Sequence, residues 1–225
     1  MAEIAPQRIA NNLAEVRGRI QAACARADRT ASEVQLIAVT KAVDTAACRA
    51  LYDLGERHFA ENRVDVAGGK ISALADAEGI CWHMIGNIQR RKAREVAQLF
   101  DVVDAVDRVE LAEALQRRLE GSEKQLPILL EVNVSGEASK HGLAPAEVAP
   151  ALAALHAFDH LQPRGLMTMA PFDAPEAEIR AYFRRLKALT TEHGLPECSM
   201  GMTNDYEIAI EEGATQVRIG SALFA

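Results

Sequence analysis

The sequence predicts a (β/α)8 barrel of the TIM type that forms a single domain. Eight short apolar segments alternate with helical segments along 225 residues, and no run of hairpin turns interrupts them. This alternation is typical of an all-parallel sheet whose strands are joined by crossover helices. An open doubly wound sheet is the alternative, but the glycine-rich fingerprint expected after its first strand is absent. The residues found there are Thr40-Lys41-Ala42-Val43.

The predicted strands are short apolar runs, most of them rich in valine, isoleucine and leucine. The segment 127–134 is the clearest of them. In chain order, we expect strands at 34–40, 58–60, 81–85, 102–106, 127–134, 165–169, 197–200 and 216–219.

The predicted helices show apolar residues three or four positions apart. Ile9, Leu13, Val16, Ile20 and Ala23 follow this spacing and indicate an amphipathic helix of about five turns before the first strand. After successive strands we expect helices at 45–54, 64–75, 90–100, 108–120, 145–158, 175–193 and 205–212.

The last strand leaves no room for a full helix before the sequence ends. We therefore expect residues 1–30 to pack on the outside of the barrel near this seam, within one domain that spans residues 1–225.

Composition excludes several classes of function. A net charge of −7 argues against binding to nucleic acid or to an anionic membrane. The four cysteines are widely spaced and form no CxxC pair, so buried free thiols in a reducing cytoplasm are expected. Neither a signal peptide nor a membrane span is predicted. The six histidines form no local ligand pair such as HExxH, so no metal site is predicted.

Lys41 is the candidate for covalent chemistry. It ends the first predicted strand, and in a parallel barrel the functional side chains lie at the carboxyl ends of the strands. A lysine amine is nucleophilic only when it is neutral, and a partly buried position favours that form. The alternative is a solvated lysine at a strand end.

A second group of residues, at the ends of the last two strands, indicates an anion site. Gly201, Gly220, Ser199 and Ser221 provide small side chains and hydroxyl donors, and the corresponding loops of barrels often hold phosphate. The alternative is that the glycines merely end strands. A lysine opposite a phosphate site, with Arg218 between them, is what a pyridoxal phosphate (PLP) site requires.

Seven ordered motifs between residues 8 and 224 resemble the signatures of the pyridoxal phosphate homeostasis protein family. They are AVTK (38–41), FAEN (59–62), WHMIGNIQ (82–89), VN with SKHG (132–133 and 139–142), GLMTM (165–169), SMGMTND (199–205) and VRIGSALF (217–224). The resemblance implies a single-domain barrel similar to the N-terminal domain of alanine racemase.

The resemblance also implies roles for individual residues. Lys41 would hold the cofactor as a Schiff base, and Arg218 would face the pyridine nitrogen. A permanent cation there disfavours protonation of the ring, which suits holding the cofactor better than carbanion chemistry. The implied phosphate ligands are Ser199, Met200 through its backbone, Gly201, Gly220 and Ser221. Asn62 and His83 would line the pocket, although a core histidine is the alternative for His83.

The implied function is PLP homeostasis without robust catalysis, in a cytoplasmic monomer that passes the cofactor to PLP-dependent apoenzymes. A PLP-dependent racemase or another Schiff-base enzyme is the alternative. Racemases of this type need a second domain that supplies a catalytic tyrosine, and here Tyr52, Tyr182 and Tyr206 all fall in predicted helices. Lys140 is a second candidate acceptor, with a mobile loop lysine as its alternative.

The sequence departs from the family pattern at several positions. Ala42 and Val43 follow the lysine where the family has threonine and a second lysine, and the proline after them is also missing. Further differences occur at Arg63, Asn87 and Asn204. None of them removes a proposed anchor.

Overall fold

Eight parallel strands close into a barrel in the computed structural model, which describes residues 4–137 and 140–225. The strands are β1 (Gln35–Val39), β2 (His58–Glu61), β3 (Cys81–Met84), β4 (Val102–Val106), β5 (Leu126–Glu131), β6 (Leu161–Met167), β7 (Glu197–Ser199) and β8 (Gln216–Ile219). They follow one another in chain order around the barrel, and β8 pairs with β1 through Ile37 and Arg218, among other residues. The predicted barrel is confirmed.

Helices cover the outside of the barrel. They are α1 (Pro6–Arg26), α2 (Thr45–Asp53), α3 (Val64–Ala73), α4 (Ala93–Leu99), α5 (Val109–Leu119), α6 (Val148–Leu155), α7 (Glu176–Glu192), α8 (Tyr206–Glu211) and α9 (Ser221–Phe224). The last of these is a single turn that the sequence did not predict. Along the part of the chain that the structure describes, no helix combines the length and apolar character needed to cross a membrane.

Three predicted elements begin or end elsewhere for local reasons. The segment 145–158 starts with a 3-10 turn, and α6 begins only at Val148. Pro150 has no N–H to donate within a helix, so it is tolerated only in the first turn, and this start places it there. The segment 90–100 likewise divides into a 3-10 turn and α4. Strand β6 begins before Pro163. A proline is tolerated inside this strand because the β5–β6 pairing is irregular beside it.

Helix α1 packs against α2, α8 and α9. The contact is reinforced by ion pairs that Arg19 and Arg26 make with Glu207, and by a further pair between Arg26 and Glu211.

The four cysteines are free. Cys24, Cys48 and Cys198 are buried, but Cys81 is partly exposed, contrary to the expectation of four buried thiols. Its side chain packs inside the barrel beside Val102 rather than in the layer between strands and helices.

Candidate functional site

A cleft of about 870 Å³ opens at the carboxyl ends of the strands. Five of the residues predicted from the sequence line this cleft: Lys41, Asn62, Arg218, Gly220 and Ser221. They follow or end β1, β2 and β8, which are neighbours around the barrel. The fold therefore brings together the lysine, the arginine and part of the anion site.

Lys41 lies in an exposed turn directly after Thr40, and the backbone before it is firmly held. The buried Lys70 side chain donates to the carbonyl oxygen of Thr40 at 2.7 Å and to Glu61 Oε1 at 2.7 Å. Thr40 Oγ1 donates to the same Glu61 oxygen at 2.6 Å. This buried network fixes the start of the turn, while the Lys41 side chain reaches the cleft.

Arg218 lies on the floor of the cleft and is only 3% exposed. Its guanidinium donates to Ser199 Oγ at 2.7 Å and to the carbonyl oxygen of Thr168 at 2.8 Å. Both acceptors are neutral, and among residues 4–137 and 140–225 no carboxylate lies within ion-pair distance of it. Burial lowers the pKa of Arg218, and the more distant Asp104 and Asp205 act in the opposite direction. A guanidinium with only two neutral acceptors has donors left for a ligand.

Two carboxyl groups also line the cleft. Burial raises the pKa of Glu131, and repulsion from Asp107 adds to this effect. Burial likewise raises the pKa of Asp205, although this carboxylate accepts a hydrogen bond from the Met202 N–H at 2.6 Å. Arg218 thus places a positive charge on the floor of the cleft, beside two carboxyl groups whose pKa values are raised by burial.

The other predicted phosphate ligands, Ser199, Met200 and Gly201, are not among the residues that line the cleft. Ser199 is fully buried and accepts from Arg218. The Met200 N–H donates to the Gln216 carbonyl oxygen at 3.1 Å, so it is already engaged in the sheet. Gly201 has φ +93°, and a Cβ there would lie 2.6 Å from the Cβ of Ala209. Gly201 therefore lets α8 approach the end of β7.

The residues that follow this motif line the cleft in its place. They are Met202, Thr203 and Asn204, none of which was among the predicted ligands. Thr203 could have been predicted as a lining residue, because its hydroxyl follows two residues after a glycine near the end of a strand.

His83 lies outside the cleft lining and inside the barrel, with 2% of its surface exposed. Its Nδ1 lies 3.1 Å from Asp104 Oδ2, and its Nε2 lies 3.0 Å from His58 Nδ1. Burial opposes the charged imidazolium, but the Asp104 carboxylate outweighs this effect and raises the pKa of His83 to about 10. This placement agrees with the core-histidine alternative.

The mouth of the cleft carries apolar side chains and one loop of the predicted motifs. Phe172, which is 82% exposed, and Met169 line it together with His141. Lys140 donates to the carbonyl oxygen of Met169 at 3.3 Å. Ser139, which belongs to the same motif, lies outside the described residues.

The three tyrosines lie elsewhere. Tyr52 donates to the Glu78 carbonyl oxygen at 3.2 Å, and Tyr182 donates to Glu178 on its own helix. Tyr206 is buried against the core at the start of α8. None of them is among the described residues that line the cleft.

Comparison with known proteins agrees with this architecture. The family model described as alanine racemase, N-terminal domain, matches residues 6–225. A pyridoxal phosphate homeostasis protein of Pseudomonas aeruginosa is 44% identical over 219 residues, which cover 96% of this chain and 94% of that protein. A protein of the same name from Aquifex aeolicus is 36% identical, over 94% of this chain and 95% of its own length.

A solved structure extends the comparison to three dimensions. PipY of Synechococcus elongatus, described as having PLP bound, superposes with a TM-score of 0.85 at 35% identity, over 96% of this chain and 100% of that chain. Sequence, barrel and cleft thus agree in placing the chain in the pyridoxal phosphate homeostasis protein family, to which it belongs.

Proposed function

We propose that this protein binds PLP in the cleft at the carboxyl end of the barrel and holds it covalently on Lys41, as a component of PLP homeostasis. The names of its relatives and the PLP described in the PipY structure support this function. The observation that carries it is the buried guanidinium of Arg218, whose acceptors Ser199 and Thr168 are neutral, in the same cleft as an exposed lysine.

The residues present fit such a cofactor. The cleft has room for a ligand of this size, since small-molecule sites commonly occupy roughly 300–1,000 Å³. Its two cations, Lys41 and Arg218, suit a phosphorylated aromatic ligand. Gly220 and Ser221 add a close backbone approach and a hydroxyl donor on the β8 side of the cleft.

Each residue has a distinct part in holding the cofactor. When bound, PLP supplies an aldehyde that a lysine amine can attack and a ring that withdraws electrons. Lys41 would supply the amine, in a turn fixed by Lys70 and Glu61. Arg218 would present N–H donors from the floor and disfavour protonation of a ring nitrogen placed against it. Ser199 and Thr168 would keep this guanidinium in place.

We further propose that the bound cofactor is stored and passed on to PLP-dependent apoenzymes rather than used in turnover, by a monomer in a reducing cytoplasm. A cation at the ring nitrogen weakens the electron sink that amino-acid chemistry needs. The apolar mouth formed by Met169 and Phe172 would shield the cofactor while leaving a route for its transfer.

Covalent attachment is tested by reconstituting the protein with PLP, reducing it with borohydride and locating the added mass. We expect a visible absorption band that disappears on reduction, with the mass on Lys41. Lys41→Ala should lose the band, while the matched control Lys140→Ala should keep it. A protein that cannot be reconstituted, or a mass on Lys140 alone, would contradict the proposal.

The carrier role is tested separately by incubating the PLP-loaded protein with amino acids in deuterated water. We expect the α-hydrogen to be retained, because the cofactor is held without turnover. Exchange of many amino-acid molecules per protein at rates typical of enzymes, on the order of 1 s⁻¹ or faster, would favour the racemase alternative.

A further inference from the structure

We propose that His58, Cys81 and His83 form a zinc site inside the barrel, separate from the cleft and independent of the proposed PLP function. The ligand atoms of these three side chains all lie within 4.8 Å of one another. His58 Nδ1 lies 3.0 Å from His83 Nε2, and Cys81 Sγ lies 3.5 Å from the same nitrogen. None of the three is among the residues that line the cleft.

The register of two neighbouring strands brings these residues together. His58 and Cys81 are direct partners in the β2–β3 ladder. Cys81 and His83 are two residues apart on β3, so their side chains point to the same face of the sheet. That face is the barrel interior, because Cys81 packs there beside Val102. The ligands therefore come from rigid strands rather than from loops.

The distances suit a tetrahedral metal ion. Zinc binds imidazole nitrogen at about 2.0–2.1 Å and thiolate sulfur at about 2.3 Å. For tetrahedral angles these lengths require separations of about 3.3 Å between two nitrogens and about 3.6 Å between nitrogen and sulfur. The observed 3.0 Å and 3.5 Å differ from these values by a few tenths of an ångström or less. The third pair, between His58 and Cys81, is within 4.8 Å, so these two side chains would have to approach to about 3.6 Å when the ion binds.

Asp104 supplies the supporting contact that metal-bound histidines commonly have. Its two carboxylate oxygens lie 3.2 Å and 3.1 Å from His83 Nδ1, and the residue is fully buried. A carboxylate at Nδ1 orients the ring so that Nε2 faces the metal, and it raises the basicity of the ligand. Here Nε2 faces both His58 and Cys81.

The donor set favours zinc over harder cations. One thiolate and two imidazoles are ligands for Zn²⁺ or copper, whereas Mg²⁺ and Ca²⁺ prefer oxygen. Binding would release the Cys81 thiol proton and any proton on the coordinating nitrogens to solvent. Because His58 and Cys81 are partly exposed, an ion can reach the site, and water can take the fourth position.

The experiment uses the full chain, stripped with a chelator and titrated with Zn²⁺ and with Co²⁺ as a spectroscopic substitute. We expect one ion per chain and a cobalt spectrum with a thiolate charge-transfer band and the strong visible bands of tetrahedral Co²⁺. Cys81→Ser should abolish the charge-transfer band and lower zinc affinity by about 100-fold or more. Asp104→Asn should lower it by about 10–100-fold.

Matched controls separate this site from surface binding and from misfolding. His156→Gln removes an exposed histidine and Cys24→Ser a distant thiol, and both should bind zinc like the wild type. Circular dichroism of each variant shows whether the barrel is intact. Absence of stoichiometric binding in the wild type, or unchanged affinity in folded Cys81→Ser, would overturn the proposal. Binding of Cu⁺ without Zn²⁺ would overturn the choice of metal.

Discussion

Lys41 at the carboxyl end of the barrel is exposed, whereas His83 in the interior is 2% exposed and touches three other side chains, those of His58, Cys81 and Asp104. The first region is open, and the guanidinium of Arg218 in it donates to two neutral acceptors, Ser199 and Thr168. The second is more deeply buried, with His58 and Cys81 only partly exposed, and it combines imidazoles, a thiol and the carboxylate of Asp104. Barrels generally place chemistry at the carboxyl end and stability at the opposite end. Our two proposals thus assign anion binding to the open end of this barrel and metal binding to its interior.

The strongest way to test this separation is to inactivate one region at a time. Lys41→Ala should lose all reducible PLP but keep zinc affinity within about twofold, because additivity holds for sites without shared partners. Cys81→Ser should do the reverse. Borohydride labelling and zinc titration of both variants measure the two losses, and a substitution that removes both functions from a folded protein would contradict the separation.

The next largest effect is expected from Gly86→Ala, which affects the carboxyl end alone. A Cβ at Gly86 would lie 2.2 Å from the carbonyl oxygen of Asn62 and 2.8 Å from its Cα, so the wall of the cleft would have to move. We expect the free energy of unfolding to fall by about 2–3 kcal/mol, together with a loss of PLP affinity. Urea denaturation and PLP titration measure both.

Gly69→Ala is the matched control for that change. Gly69 lies within α3, and a Cβ there would meet nothing within 4 Å. Alanine should therefore raise the free energy of unfolding by up to about 1 kcal/mol. Equal losses in both variants would show that the close approach to Asn62 has no role.

The two regions also differ in how much of them the sequence could predict. Lys41 was found because a strand end in a parallel barrel faces the site, and that rule needs no coordinates. The cluster of His58, Cys81 and His83 was missed because its ligands are 25 residues apart at most in the chain and meet only through strand register. A search for local ligand pairs cannot detect such a site.

The same limit applies within the cleft. The motif beginning at Ser199 was recognised, but which of its residues face the cleft depends on where β7 ends. Because Met200 still donates to β8, the lining begins only at Met202. The order of strands and helices can be predicted from the hydrophobic pattern of the sequence. The exact residue at which a strand ends depends on packing, and this decides which residues face the cleft.

Ser199→Ala sharpens the description of the cleft by separating two roles for this hydroxyl. If the Ser199 hydroxyl acts through Arg218, removing it should lower the affinity for PLP and for unphosphorylated pyridoxal alike, by about tenfold each. If the hydroxyl contacts the phosphate directly, removing it should lower the affinity for PLP only. Ser221→Ala, at a residue that lines the cleft, is the matched control and should affect PLP alone. Titration of both variants with both ligands distinguishes the cases.

The smallest effect is expected at the barrel seam, which contributes to neither region. Burial raises the pKa of Glu211, but hydrogen bonds from Arg180 and Arg26 outweigh it and leave this pKa lowered. A lowered pKa stabilises the fold above the unfolded value of 4.5, and the contribution disappears as pH falls through the folded value.

Glu211→Gln should therefore reduce the free energy of unfolding by about 1 kcal/mol at about pH 7, since one carboxylate joins α1 and α7 through partly exposed pairs. The difference from wild type should shrink as pH falls below 4.5 and disappear once Glu211 is protonated in the folded protein, and it should also shrink in high salt. Glu123→Gln, at an exposed residue, should change stability by less than about 0.5 kcal/mol. Denaturation curves across this pH range provide the measurement. A Glu211→Gln loss that persists at low pH would show that packing, rather than charge, holds α1 on the seam.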